Sequence, residues 1–149
     1  MRNISFALTT PQFLDGTKTV TRRDGWESLQ AGDKLTAVKK GMGLKKGEKI
    51  EVLGQILITN VRREKLARMT DDLDYGFAET VREGFPEGHP YHWPSEFVDF
   101  FCKSHRGCYP NKDITRIEYV KLPPAARPSH SALPWNIIVN LSSNKGQGD

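Results

Sequence analysis

Apolar and polar residues alternate in five stretches of the chain, and this pattern predicts β-strands. The predicted strands cover residues 3–10, 18–23, 34–40, 49–66 and 113–122. Within the second stretch, strict alternation would place Lys18 and Thr21 on opposite faces. Gly54 interrupts the fourth stretch, so we expect a bulge or bend there.

Three other stretches have the signals of helices. Thr10, followed by a proline, predicts the N-cap of a short helix that Gly16 ends. Thr70 begins a second helix, in which acidic residues fill the first turn, apolar residues recur every four positions, and Gly84 marks the end. A third helix is predicted over residues 95–105, with a phenylalanine-rich apolar stripe.

The order of these elements lacks the regular strand–helix–strand alternation of a parallel α/β fold. Curved strands with two inserted helices indicate an α+β fold built on a small mixed β-barrel, with a site at its mouth. We assign residues 1–122 to this domain and residues 123–149 to a proline-rich C-terminal extension and tail. Residues 135–141 are apolar enough for one more strand or for docking on the domain.

Composition favours a folded, water-soluble domain. The chain has 149 residues, of which 37% are hydrophobic and 27% charged, unlike a disordered or membrane-spanning protein. No run approaches the roughly 20 apolar residues of a membrane span, and the first residues do not resemble a signal peptide. Two cysteines are too few for a secreted disulfide scaffold, so we expect a cytoplasmic protein.

Charge is distributed unevenly. Residues 1–65 have a balance of +6, whereas residues 66–122 have a balance of −3. A basic half attracts anions, and RNA or a nucleotide-like ligand is the natural anionic partner. A basic surface that serves only solubility is the alternative.

The densest group of candidate residues is the stretch "GTKTVTRRD". A lysine amine beside a threonine hydroxyl suits nucleophilic catalysis if the amine loses its proton, and this requires Lys18 and Thr21 to reach the same side. A bulge or turn between them would permit that. Arg22 and Arg23 have the fork geometry that binds phosphate or carbonyl oxygens. The alternative is an exposed strand with solvated charges.

The stretch "LDGTKTVTRRDGWESLQAGDKL" resembles the opening motif of the ASCH domain family, the activating-signal-cointegrator homology domains. The segments "REGF" and "ITRIEYVKL" resemble two further parts of the family pattern, in the right order. The resemblance covers roughly residues 3–122. It implies a β-barrel related to the PUA domains, with a cleft that binds RNA.

One branch of the family is similar to small bacterial amidohydrolases that remove the acetyl group from acetylated cytidine. For this chain, the resemblance implies a catalytic set of Lys18, Thr21 and Glu83, with Arg23 as a ligand-binding residue. Glu79 is a rival for the glutamate, because the chain is longer here than in the small amidohydrolases. Two alternatives stay open, a non-catalytic RNA-binding or regulatory module and a ribonuclease that uses lysine and histidine.

Three aromatic residues, one beside the "GTKTVTRRD" stretch and two in a later loop, are candidates for stacking on a base. They are Trp26, Tyr91 and Trp93, and the alternative for the two loop residues is a hydrophobic lid over the core. A glycine- and lysine-rich loop supplies candidate phosphate contacts; its lysines are Lys39, Lys40, Lys45 and Lys46. This loop lacks the spacing of a nucleotide-triphosphate P-loop, and a solvated turn is the alternative.

A short window also contains residue types that bind zinc: His89, His92, Cys102, His105 and Cys108. The spacing matches no standard zinc motif closely. A cysteine in a phenylalanine-rich helix is more often a small apolar filler. We therefore predict no metal or other cofactor, and the sequence leaves the oligomeric state open.

Overall fold

The structure is a computed structural model that describes residues 1–124, so most of the predicted extension and tail lies outside the described residues. Five strands form one mixed sheet in the order β1-β3-β4-β5-β2. They are β1 (Asn3–Ser5), β2 (Val20–Arg23), β3 (Lys34–Val38), β4 (Val52–Lys65) and β5 (Asp113–Lys121). β1 and β3 are parallel, and the other neighbours are antiparallel.

The predicted α+β class is confirmed, but the predicted barrel is wrong, because the described sheet does not close. The edge strands β1 and β2 are only three and four residues long, and they do not pair with each other. A side chain bridges the gap instead, since Arg23 Nη2 on β2 donates to the backbone oxygen of Ser5 on β1 at 2.7 Å. A gap therefore remains between the two edges.

The helices are α1 (Thr10–Asp15), α2 (Arg68–Asp71), α3 (Leu73–Arg82) and α4 (Pro94–Ser104), with a 3-10 turn at Pro90–His92. The predicted end of α1 is confirmed, because Gly16 adopts a left-handed conformation with φ 83°. Its N-cap is Thr9 rather than Thr10, whose hydroxyl donates to Phe6 O. The second predicted helix is divided into α2 and α3, because Asp72 leaves helical geometry and caps α3.

α3 buries a polar face rather than an apolar one. Leu73 and Val81, two of the residues whose spacing predicted the helix, are 55% and 44% exposed. The buried residues of α3 are Gly76, Glu79 and Thr80. Gly76 permits this packing, since a Cβ there would lie 1.9 Å from the backbone oxygen of Met69 on α2.

The long strand β4 has the predicted irregularity near Gly54. Gly54 pairs with Ala37 on β3, but Val38 pairs with Val52, so one residue of β4 is left over and forms a bulge. No helix among residues 1–124 is long and apolar enough to cross a membrane.

Two clusters of apolar side chains form the core. One lies on the sheet and contains Ile4, Phe6, Phe13, Leu29, Leu35, Ala37, Ile56, Ile58, Ile117 and Tyr119. The other lies among the helices and contains Leu66, Met69, Phe85, Phe97, Val98, Phe101 and Ile114. Because members of both clusters line the cavity described next, that cavity lies where the two clusters meet.

Candidate functional site

Lys18 reaches the same side of the molecule as Thr21 because it precedes β2. Its backbone N–H donates to Gln12 O at 3.1 Å, and Thr19 N–H donates to Arg82 O at 2.8 Å. These bonds hold residues 18 and 19 against α1 and the end of α3, so strand alternation begins only at Val20. Lys18 and Thr21 consequently line one cavity, although strict alternation would have separated them.

Glu83 reaches Lys18 because of the glycine that follows it. Glu83 is the C-cap of α3, and Gly84 turns the chain with φ +101°. A Cβ at Gly84 would lie 2.8 Å from Gln12 Cβ and 3.3 Å from Lys18 Cβ. The end of α3 can therefore approach α1 and Lys18 only because residue 84 has no side chain.

The Lys18 ammonium and the Glu83 carboxylate form a buried ion pair. Lys18 Nζ donates to Glu83 Oε1 at 2.8 Å and to the Glu83 backbone oxygen at 3.0 Å. The other carboxylate oxygen, Oε2, accepts from Arg22 Nη1 at 3.1 Å. Burial lowers the pKa of Lys18, and the Glu83 carboxylate offsets this only in part. The Lys18 amine therefore loses its proton more readily than an exposed lysine, as a general base requires.

Thr21 and Arg23 form the next part of the cavity wall. Thr21 is 3% exposed, and its hydroxyl accepts from Arg23 Nε at 3.1 Å. Among the hydrogen bonds of residues 1–124, this hydroxyl donates none and has no direct bond to Lys18. Burial lowers the pKa of Arg23 to about 10. Its Nη1 group makes no hydrogen bond within the described residues, so it can donate to a ligand.

The cavity has a volume of about 510 Å³. One wall is polar and contains Lys18, Thr21, Arg22, Arg23 and Glu83. The lining also contains five phenylalanines and a histidine: Phe6, Phe85, Phe97, Phe100, Phe101 and His105. Volumes of this size are typical of small-molecule sites, in which a few polar groups orient a ligand against apolar surface.

Glu79 has a different environment, although it lies one helical turn before Glu83. Its two carboxylate oxygens accept hydrogen bonds from Arg22, Arg82 and Arg116. Burial alone would raise the pKa of Glu79, but the bonds and charges of these arginines hold it at about 2. Glu79 does not line the cavity. We call Glu79 with its three arginines the Glu79 cluster.

The three aromatic residues predicted to stack on a base lie away from the cavity lining. Trp26 packs on the sheet cluster beneath the Arg2 guanidinium, 3.9 Å from its ring centroid. Tyr91 stacks on Phe100 with ring centroids 4.2 Å apart. Trp93 is 60% exposed and lies beside Phe77.

Of the loop lysines, Lys40 lines the mouth of the cavity, where Nζ lies 3.8 Å from a Glu48 carboxylate oxygen. Lys39, Lys45 and Lys46 are exposed and lie outside the lining.

The five histidines and cysteines that lie close together in the sequence make separate contacts in the structure. His89 Nδ1 accepts from Tyr91 N, and His92 Nδ1 lies 3.1 Å from Phe85 O. Cys102 and Cys108 face each other, while His105 lines the cavity. Within residues 1–124, no three histidine, cysteine, aspartate or glutamate side chains are arranged to hold a metal ion.

Two parts of the cavity lining were not predicted from the sequence: the phenylalanines, and residues 5–9, which run from the last residue of β1 toward α1. The phenylalanine stripe of α4 and the phenylalanine after Gly84 were visible in the sequence. They gave no sign of function, because the same spacing is expected of a helix that packs on a core.

Comparisons with known proteins show little similarity. No family model matches the chain, and no curated protein matches it. A similar solved structure is the crystal structure of protein EF3133 from Enterococcus faecalis V583, family-model DUF984, with 17% sequence identity and a TM-score of 0.47. The match covers 73% of this chain and 63% of that protein, so the chain spans less than two thirds of its length.

Proposed function

We propose that the protein is an amidohydrolase that removes the acyl group from the exocyclic amine of an acylated cytidine. The observation that carries this proposal is the convergence of Lys18, Thr21, Arg23 and Glu83 on one wall of a single cavity. These are the residues that the resemblance to the ASCH motif implies for the amidohydrolase branch. The proposal rests on this chemistry and not on overall similarity to a solved protein.

The volume and the aromatic lining of the cavity suit a planar base. A pyrimidine ring placed against Phe85 and the phenylalanines of α4 would gain stacking and apolar burial. Its acyl group would then face the polar wall, where Thr21 and Arg23 lie. A nucleobase, a nucleoside and a nucleotide at the end of a single-stranded RNA all present this edge.

In the first step, Thr21 Oγ attacks the acyl carbonyl carbon and Lys18, as the neutral amine, takes the hydroxyl proton. The developing oxyanion accepts a hydrogen bond from Arg23, whose Nη1 group is free within the described residues. Collapse of the tetrahedral intermediate breaks the carbon–nitrogen bond, and the leaving amine takes the proton from Lys18. The acyl group is now an ester on Thr21.

In the second step, water attacks this ester, and Lys18 again accepts and returns a proton, which releases a carboxylic acid and restores Thr21. Glu83 orients Lys18 through the 2.8 Å bond and stabilises its protonated form between transfers. Catalytic hydrogen bonds are often long until the substrate binds. We expect substrate binding to bring the Lys18 amine within hydrogen-bonding distance of the Thr21 hydroxyl.

The direct test is incubation of the protein with N4-acetylcytidine, which should release cytidine and acetate in equal amounts. Thr21→Val and Lys18→Met should each lower kcat by about a thousandfold or more. Thr19→Val is the matched control, because Thr19 is exposed and lies outside the cavity lining. Equal losses in the Thr19 and Thr21 variants would contradict the proposed role of Thr21.

A non-catalytic binding module is the second candidate. The Lys18–Glu83 ion pair favours it, because a lysine that stays protonated cannot accept a proton from Thr21. Lys40 at the cavity mouth would then contact the phosphate of a single-stranded RNA. Salt-sensitive RNA binding that weakens in Lys40→Ala, without turnover of N4-acetylcytidine, would select this function over catalysis.

A further inference from the structure

The chain has two cysteines, and the structure places their sulfur atoms together. Cys102 lies in the last turn of α4, and Cys108 follows in the loop, with Sγ 3.1 Å from Cys102 Sγ. Both residues are partly exposed and reduced. A disulfide has a sulfur–sulfur bond of roughly 2 Å, so only a small movement separates this pair from a covalent bond.

The backbone between the two cysteines already forms a compact loop. His105 N–H donates to Cys102 O at 3.3 Å, and Cys108 N–H donates to His105 O at 3.2 Å. Gly107 supplies the positive φ, 75°, that turns the chain back toward α4. The thiols are therefore held together by the loop, so the entropic cost of closing the ring has largely been met in the reduced protein.

We propose that Cys102 and Cys108 form a thiol–disulfide exchange site that small disulfides, such as glutathione disulfide, convert to an intramolecular disulfide. The function proposed above is not needed for this site to exist. The loop between the two cysteines, however, contributes Ser104 and His105 to the cavity lining.

The chemistry proceeds by two exchanges. The Cys102 thiolate attacks one sulfur of glutathione disulfide, forms a mixed disulfide and releases one glutathione thiolate. Cys108 then transfers its proton to that thiolate and attacks the Cys102 sulfur, which releases the second glutathione. Two protein thiols and one glutathione disulfide thus become one protein disulfide and two glutathione molecules.

The order of attack follows from the surroundings of Cys108. Burial, together with the neighbouring Cys102, raises the pKa of the Cys108 thiol to about 12. Cys108 therefore keeps its proton at neutral pH and is a poor first nucleophile. It becomes the resolving cysteine once Cys102 carries glutathione, because its sulfur already lies against that of Cys102.

The loop that the disulfide would close contains part of the cavity wall. Ser104 and His105 lie between the two cysteines, and both line the cavity. The His105 ring stacks on Phe101 with centroids 4.1 Å apart, and its Nδ1 lies 2.8 Å from Phe101 O. Drawing the two sulfurs together moves the ends of this loop, so the position of His105 against Phe101 should report the redox state.

The experiment treats the reduced full-length protein with glutathione disulfide and follows free thiols and intact mass. We expect the thiol count to fall from two to zero and the mass to fall by two hydrogen atoms, with both changes reversed by dithiothreitol. Cys108→Ser should stop at a one-glutathione adduct, whereas Cys102→Ser should react far more slowly. NMR signals of the His105 ring should shift on oxidation, while those of His89 and His92 serve as internal controls.

Thiols that stay free, or disulfides that form only between two molecules, would overturn the exchange site. Equal adduct formation in the two variants would overturn the assigned order of attack, and an unmoved His105 would overturn the link to the cavity. The readouts use no substrate, so loss of the amidohydrolase proposal would leave this result unaffected.

Discussion

Two glutamates, Glu79 and Glu83, lie one turn apart at the end of α3 and are both buried, and they share Arg22 but differ in their other partners. Glu79 accepts hydrogen bonds from three arginines and is closed off from the cavity. Glu83 pairs with one lysine and one arginine and lies in the cavity wall. The two glutamates are thus alike in burial and charge. They differ in whether a ligand in the cavity can reach them.

The difference has a consequence for the role of each carboxylate. A carboxylate saturated by arginines, with its pKa held at about 2, stays ionised and binds the helix to the sheet. The Glu83 carboxylate instead contacts a lysine in the cavity lining, and burial lowers the pKa of that lysine. We therefore assign Glu79 a structural role and Glu83 a role at the site.

The largest effect is expected from neutralising the two glutamates separately. Glu79→Gln leaves Arg22 and Arg116 buried with one fewer carboxylate, and should lower the free energy of unfolding by about 3–5 kcal/mol. Glu83→Gln should cost less, about 1–2 kcal/mol, because Arg22 keeps Glu79 and Glu64 as partners and Lys18, left without its carboxylate, can lose its proton. Urea unfolding followed by circular dichroism measures both.

Activity should respond in the opposite order. Glu83→Gln should abolish most turnover of N4-acetylcytidine while the protein stays folded, and any folded Glu79→Gln protein should retain turnover. Equal stability losses, or activity lost only in Glu79→Gln, would reverse the assignment of the two residues.

The next effect is on the free energy of unfolding at acid pH. The folded pKa of Glu79, about 2, is below its ordinary value of 4.5, so its stabilising contribution is fully present above about pH 4.5. That contribution declines as the pH falls through the interval from 4.5 toward 2, and the shift corresponds to about 3 kcal/mol. The free energy of unfolding should fall more steeply in this interval for the wild type than for Glu79→Gln. Parallel pH profiles would show that the arginines do not depress this pKa.

The smallest effect is expected from changing Gly84, because this glycine lets the end of α3, and with it Glu83, approach Lys18. Gly84→Ala places a Cβ 2.8 Å from Gln12 Cβ at φ +101°, and should cost about 1–3 kcal/mol of stability and displace Glu83 from Lys18. Gly88→Ala is the matched control, with φ +96° and open space around the added carbon. Unfolding and turnover are measured for both variants. A loss of turnover no larger than in the control would contradict the role of Gly84.

The elements of the fold were largely predictable from local pattern. Alternation located the strands, a proline and a glycine located the ends of α1, and the phenylalanine stripe located α4, because these signals depend on neighbouring residues only. Closure of the sheet was not predictable, since it depends on whether distant edges pair. The chain leaves β1 after Ser5, and the Arg23 side chain spans the gap to β2.

The face that α3 buries was also beyond the sequence pattern. Its apolar period predicted a helix, but the buried side carries Glu79 because Arg22 and Arg116 on two neighbouring strands neutralise it. Such a partner set is assembled from residues far apart in the chain. No local pattern reveals it.

For the candidate site, the sequence by itself determined the chemistry that was available, a lysine, a threonine and an arginine within six residues. The tertiary structure decided three further points: that Lys18 and Thr21 line one cavity, that Glu83 rather than Glu79 joins them, and that phenylalanines line the same cavity. The physical reason is that side-chain types are local properties. Convergence depends on where β2 begins, how Gly84 ends α3, and how α4 brings its phenylalanines to the cavity.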